Sequence, residues 1–134
     1  MLVLVADDDK GVRLAVRHLL VNTLGWNVIE CSNGAEALLA LAQNRFDLAL
    51  IDINMPQLDG IGVVEAIRSS PTLRHTRIMM MTADAREEVV RRLLLLGVSD
   101  YIIKPLVPKT ALEKLHRISR AIIASNAMSP RQHP

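Results

Sequence analysis

Apolar and polar residues fall in blocks along this chain, not in alternation. Short apolar runs occupy Leu2–Ala6, Phe46–Ile51, Ile78–Met81 and Tyr101–Ile103, with a briefer one at Val28–Cys31; a single acid interrupts two of them, at Asp47 and Glu30. Runs of this length, rich in branched side chains and without period-two alternation, suit parallel strands buried on both faces. Between them apolar residues return every three or four positions, which predicts helices. Asp9 can cap the first, whose inner face is Val12, Val16, Leu19, Leu20 and Leu24 and whose stop is Gly25. Asn33, with Glu36 three residues on, caps a second helix that turns Ala37, Leu38, Leu41 and Ala42 inward. Ile61, Val64 and Ile67 mark a third, broken at Ser69-Ser70-Pro71. A fourth spans about Arg86 to Leu96, with Val89, Val90, Leu93 and Leu94 inward and Gly97 as its stop. Pro108 opens the last, which faces Leu112, Leu115, Ile118, Ile122 and Ile123 to the core.

Five strand–helix units in succession predict an α/β fold, a doubly wound five-stranded parallel sheet with helices on both faces. Residues 1–124 form one domain on this reading. Ser125 to Pro134, polar and proline-containing, read as a tail or the start of a linker.

Composition narrows the partners. Half of the 134 residues are hydrophobic, enough for a single core, and with three aromatics that core must be aliphatic. A formal net charge of +2 is too small to imply nucleic acid. Arg91, Arg92, Lys109, Lys114, Arg117 and Arg120 lack interleaved aromatics and read as a solvated surface. Cys31 is alone, which excludes an internal disulfide, fits a reducing cytosol and suggests a small core filler. The opening apolar stretch stops at Asp7, too short for a signal peptide or a membrane span, so a cytoplasmic protein without a membrane partner is expected.

The chemistry lies where the apolar runs end. The first gives out at Asp7-Asp8-Asp9, the third at Asp52, the fourth at Thr82 and the fifth at Lys104-Pro105. Sites in open α/β sheets form outside the carboxyl ends of the strands, and an order 2-1-3-4-5 sets strands one and three side by side, so Asp7, Asp8 and Asp52 would meet. Carboxylates gathered there repel one another unless a cation sits among them, and Mg2+ suits a few carboxylates plus waters and a phosphate. Asp52, at the middle of the site, is the natural nucleophile and would give an acyl phosphate. The Lys104 ammonium and the Thr82 hydroxyl can take phosphoryl oxygens, and the small Ala83 leaves the approach open. Asp9 is better read as a helix cap than as a ligand.

These residues together closely resemble the receiver domain of two-component response regulators, chemotaxis receivers among them. The resemblance rests on Val5-Ala6-Asp7-Asp8-Asp9, Asp52-Ile53-Asn54-Met55-Pro56 with Gly60, Thr82-Ala83 and Asp100-Tyr101-Ile102-Ile103-Lys104-Pro105. Thr82 follows Asp52 by 30 residues and Lys104 follows it by 52. The likeness covers roughly Leu2 to Ala124 and carries with it the flavodoxin-like strand order 2-1-3-4-5. It implies a switch, not an enzyme with an outside substrate: Asp52 receives a phosphoryl group from a phosphohistidine on a sensor histidine kinase or a histidine phosphotransfer protein. By the same resemblance, Asp8, Asp52 and the backbone carbonyl of Asn54 bind Mg2+ directly, Asp7 acts through water, and Mn2+ can substitute. Lys104 and Thr82 hold the phosphoryl oxygens, Ala83 and Pro105 border the pocket, and the Lys104–Pro105 bond is cis. Thr82 and Tyr101 form the switch, read by an output partner on the face of the fourth helix, fifth strand and fifth helix.

Leu106 departs from the aromatic that many receivers carry there, Asn54 and Asp84 flank the pocket entry, and one extra residue near Asn22-Thr23 is expected to sit in a loop. Two rivals fare worse. A haloacid-dehalogenase-type hydrolase needs a second Asp two residues after its nucleophile, where Asn54 cannot shuttle a proton. A flavin binder needs a phosphate cradle after the first strand, where three aspartates would repel the cofactor.

Overall fold

A computed structural model describes residues 1–128. Five strands, β1 (Leu2–Ala6), β2 (Asn27–Cys31), β3 (Leu48–Asp52), β4 (Ile78–Thr82) and β5 (Asp100–Ile103), alternate with α1 (Lys10–Arg17), α2 (Gly34–Gln43), α3 (Gly60–Ser69), α4 (Glu87–Leu95) and α5 (Pro108–Met128). The strands form one parallel sheet in the order β2-β1-β3-β4-β5, as the resemblance implied. Every residue of β3 and β4 is buried, which is why those runs carry no polar alternation.

Side-chain parity splits the core in two. Val3, Val5, Leu48, Leu50, Met79, Met81 and Ile102 pack against Val16, Leu19 and Leu20 on one side and against α5 through Ala111, Leu115, Ile118 and Ile122. Leu4, Ala6, Ala49, Ile51, Ile78 and Met80 pack on the other face against α2 and α3, with Leu93 of α4. A helix can turn only one stripe inward, and this limits the runs of consecutive apolar residues. Leu93 is buried, but Leu94 points out; Ile122 continues the buried series of α5, but Ile123 does not; Ala42 of α2 is exposed too. Those three inward assignments are corrected.

The caps match the expectation in part. Asp9 accepts from the amides of Gly11 and Val12, and Asn33 Oδ1 accepts from the Glu36 amide. Glu36, however, reaches the amide and hydroxyl of Ser32, not the backbone of Asn33. The extra residue near Asn22-Thr23 is not in a loop. It is absorbed in a π-helical turn, His18–Thr23, which continues α1, with the Leu24 amide donating to the Leu19 carbonyl. A single inserted residue widens a helix turn in this way without changing which face is buried, and Leu19 and Leu20 stay in the core. At the other end α5 runs through Ser125–Met128, past the expected boundary at residue 124. The rest of the expected tail, residues 129–134, lies outside the described residues.

Candidate functional site

The sheet register decides which charges meet. Ala6 pairs with Ile51 and Asp52 with Met81, while Thr82 pairs with Ile103. One residue further, the Lys104 amide donates to the Thr82 carbonyl at 2.7 Å and the Ile53 amide to the Met81 carbonyl at 3.1 Å. Asp7, Asp52, Thr82 and Lys104 therefore share the carboxyl edge of four adjacent strands.

Asp7, Asp52 and Thr82 are buried, while Asp8 is exposed. Lys104 Nζ lies 2.7 Å from Asp7 Oδ2 and 3.1 Å from Asp52 Oδ1, so one ammonium serves two buried carboxylates. Asp7 Oδ1 accepts from the Asp9 amide, and its Oδ2 is left to the Lys104 ammonium alone among the described residues. Burial raises the Asp52 pKa, and the Asp7 charge adds to the rise while Lys104 opposes it. Burial on its own would lower the Lys104 pKa, but its bonds to Asp7 and Asp52 outweigh that and raise it.

A divalent cation fits this arrangement. Asp7, Asp8 and Asp52 each offer a carboxylate oxygen, all within 4.8 Å of one another. The donors are hard oxygens, Lys104 leaves them net negative, and the buried Asp7 Oδ2 has no partner beyond that ammonium among the described residues.

The loop after Asp52 is held against the strand end by close backbone packing. The Gly60 amide donates to the Ile53 carbonyl, and a Cβ at Gly60 would lie 2.1 Å from the Asp52 carbonyl oxygen. A Cβ at Gly34 would lie 2.2 Å from the Leu58 carbonyl oxygen, so α2 closes on the same loop. Asn54 stands exposed in that loop, two residues beyond Asp52, and Ala83 and Pro105 are exposed at the ends of β4 and β5. The Lys104–Pro105 bond is cis. Leu106 fits under α5, packed on the cluster that includes Leu115.

Two expected groups are engaged elsewhere. The Thr82 hydroxyl donates to the Asp84 carbonyl at 3.0 Å and accepts from the Asp84 amide at 2.9 Å. No hydrogen bond joins it to Asp7, Asp52 or Lys104 among the described residues. Tyr101 is half-buried on the edge strand, with the Lys114 ammonium over its ring. Lys114 is therefore not part of a solvated surface, because its side chain is only 21% exposed.

Sequence reasoning missed other participants. Arg13 of α1 donates to the Asp7 carbonyl at 2.7 Å and pairs with Glu30 of β2. Arg86 grips the Asp84 carboxylate with two nitrogens and pairs with Glu88, so the acid beside the pocket entry carries its own counter-ion and its pKa is lowered. The adjacency of Asp84 and Arg86 is a visible signal for that pair. No spacing rule points from Arg13 to Asp7.

Comparison with known proteins places the chain among similar sequences and structures. Residues 3–116 match the family described as response regulator receiver domain. The chemotaxis protein CheY-3 of Vibrio cholerae is 37% identical over 119 residues, which are 88% of this chain and 91% of the relative. Chemotaxis protein CheY of Pseudomonas aeruginosa is 31% identical over 118 residues, 88% and 95% of the two chains. Among solved structures, the chemotaxis response regulator CheY4 of Vibrio cholerae superposes with a TM-score of 0.80 at 32% identity, covering 87% of this chain and 97% of its own. A CheY-like receiver domain protein from Methanospirillum hungatei reaches 0.82 at 27% identity, covering 92% and 97%.

Proposed function

The chain belongs to the response regulator receiver domain family, the phosphoryl-accepting switch of two-component systems, and on that footing we propose that Asp52 is the acceptor. An Asp52 carboxylate oxygen attacks the phosphorus of a phosphohistidine on a sensor histidine kinase or histidine phosphotransfer protein. The P–N bond breaks with its electron pair going to the imidazole, and a P–O bond forms, giving an acyl phosphate. Lys104, already within reach of Asp52, takes one phosphoryl oxygen, and Thr82 takes another once its hydroxyl leaves Asp84.

Receiver domains bind Mg2+ at an acidic pocket, and here Asp7, Asp8, Asp52 and the Asn54 backbone carbonyl would hold it, with Mn2+ able to substitute. When bound, the metal neutralises charge on the phosphoryl oxygens. The observation that carries the reading is the buried Asp52 carboxylate, tied to a Lys104 ammonium that it shares with Asp7. The protein is a signalling switch that catalyses only its own phosphorylation and dephosphorylation. Thr82 and Tyr101 relay the change to the face of α4, β5 and α5, where exposed Leu94, Leu95 and Ile103, with Val107 at the entry to α5, offer apolar contact for an output partner. We assign it to the cytoplasm, where such donors act and where the lone Cys31 stays reduced.

The acyl phosphate has its own chemical test. Borohydride reduces an acyl phosphate to the alcohol, so reduction after phosphorylation should convert residue 52 to homoserine, detectable by peptide mass spectrometry. Homoserine at another aspartate, or none while phosphate is bound, contradicts the assignment.

A further inference from the structure

Lys114 reaches from α5 to the edge strand and meets Tyr101 from several directions. Its ammonium stands 4.4 Å from the centroid of the Tyr101 ring. It also donates to the Tyr101 backbone carbonyl and, at 3.2 Å, to Asp100 Oδ1. Arg117, one helical turn on, lies 3.7 Å from the other Asp100 oxygen.

These contacts differ in what they can sense. The carbonyl and the Asp100 carboxylate keep their places when the Tyr101 side chain rotates, so bonds to them favour no rotamer. The contact with the ring face exists only while the ring stays where it is. A ligand or side chain shifts a two-state equilibrium only by interactions that differ between the states. The two other anchors also fix the ammonium in advance, so the ring contact orders little that is not already ordered.

We propose that Lys114 is a positioning residue for Tyr101, its ammonium on the ring face holding the side chain in the half-buried place and opposing its inward rotation. The proposal rests on the reading of Tyr101 as part of the phosphorylation-driven switch. Removing the charge should raise the ratio of inward to resting ring about two- to fivefold, the factor a cation–π contact of this exposure is worth. Coupling is reciprocal, so the phosphoryl site should bind a phosphoryl mimic more tightly by the same factor. Asp100 retains Arg117 in such a variant, and the lost bonds to the Tyr101 carbonyl and Asp100 Oδ1 favour neither rotamer.

Tyr101 is the chain's single tyrosine, so fluorotyrosine incorporation gives one fluorine resonance. The test is fluorine NMR of the full chain titrated with beryllofluoride and Mg2+, as wild type and as Lys114→Gln, Lys114→Met and Lys114→Arg. In both neutral variants the starting resonance should move toward the wild-type saturated position. The beryllofluoride midpoint should fall about two- to fivefold, and Lys114→Arg should restore both. A packing role alone would not make arginine rescue and both neutral variants shift alike. Neutral variants that match wild type, while the wild-type resonance moves normally with beryllofluoride, overturn the role of Lys114. A wild-type resonance that does not move at saturation overturns the Tyr101 switch itself, and the proposal with it.

Discussion

Asp7 Oδ2 is buried and, among the described residues, has no partner but an ammonium that also serves Asp52. Two carboxylates and one cation leave an excess negative charge where water cannot screen it. Asp7→Asn relieves that excess and removes a metal donor. In metal-free buffer the variant should be more stable than wild type by roughly 1–2 kcal/mol. Urea unfolding with and without Mg2+ should also show most of the metal's stabilising effect lost. Equal Mg2+ stabilisation of variant and wild type would exclude Asp7 from the metal site.

Cys31 gives a pH prediction independent of that site. Burial is the main cause that lifts its thiol from an ordinary 9.0 to about 11, helped by the charge of Glu36. The folded pKa is the higher one, so the contribution to stability is complete below pH 9.0 and is lost as the pH climbs to about 11. Across that window the wild type should lose roughly 2–3 kcal/mol more than Cys31→Ala in urea unfolding. Parallel losses would mean that the thiol titrates normally in the folded chain.

At the scale of elements, the end of β3 and the start of α3 are pressed together at Gly60. A Cβ there would meet the Asp52 carbonyl oxygen at 2.1 Å, and backbone cannot rotate aside as a side chain can. Gly60→Ala should cost about 1–3 kcal/mol by overpacking. It should also slow phosphorylation, because the displaced backbone carries Asp52, and urea unfolding beside a phosphorylation time course measures both effects.

Arg68 does comparable work at the far end of α3. Its guanidinium donates to the carbonyls of Leu96, Arg74, Thr76 and Gly97, joining three segments without an acidic partner among the described residues. Arg68→Ala strips four acceptors of a donor at once and should destabilise by about 2–4 kcal/mol, as chemical denaturation would show. Lysine, a single point donor, should recover only part of the loss.

The elements themselves were legible because short non-alternating apolar runs and three-to-four-residue spacing have few other solutions. The π-helical turn at His18–Thr23 was not, since an inserted residue in a helix and one in a loop leave the same trace in the sequence. Stretches such as Leu93–Leu96 misled for a related reason: the run is apolar on every side, and only packing chooses Leu93 over Leu94.

At the scale of the whole molecule, parallel strands send every carboxyl end to one edge, which is why four distant strand ends read as one site. Strand direction locates Asp7, Asp8, Asp52, Thr82 and Lys104, but it is blind to side-chain state. It could not show the Thr82 hydroxyl bound to the Asp84 backbone, nor Lys114 seated on Tyr101. It could not reveal Arg86 on Asp84 either, which alters the charge at the pocket mouth. Those arrangements depend on contacts among helices and loops whose spacing no strand pattern encodes.

The central claim is that Asp52 takes a phosphoryl group in a site that needs a divalent cation. Intact-mass spectrometry after incubation with acetyl phosphate tests it most directly, with Mg2+ or with chelator, on wild type and Asp52→Ala. Wild type with Mg2+ should gain one phosphoryl group, and neither wild type with chelator nor the variant should gain any. A Mg2+-independent adduct, or one that persists in Asp52→Ala, would contradict the claim.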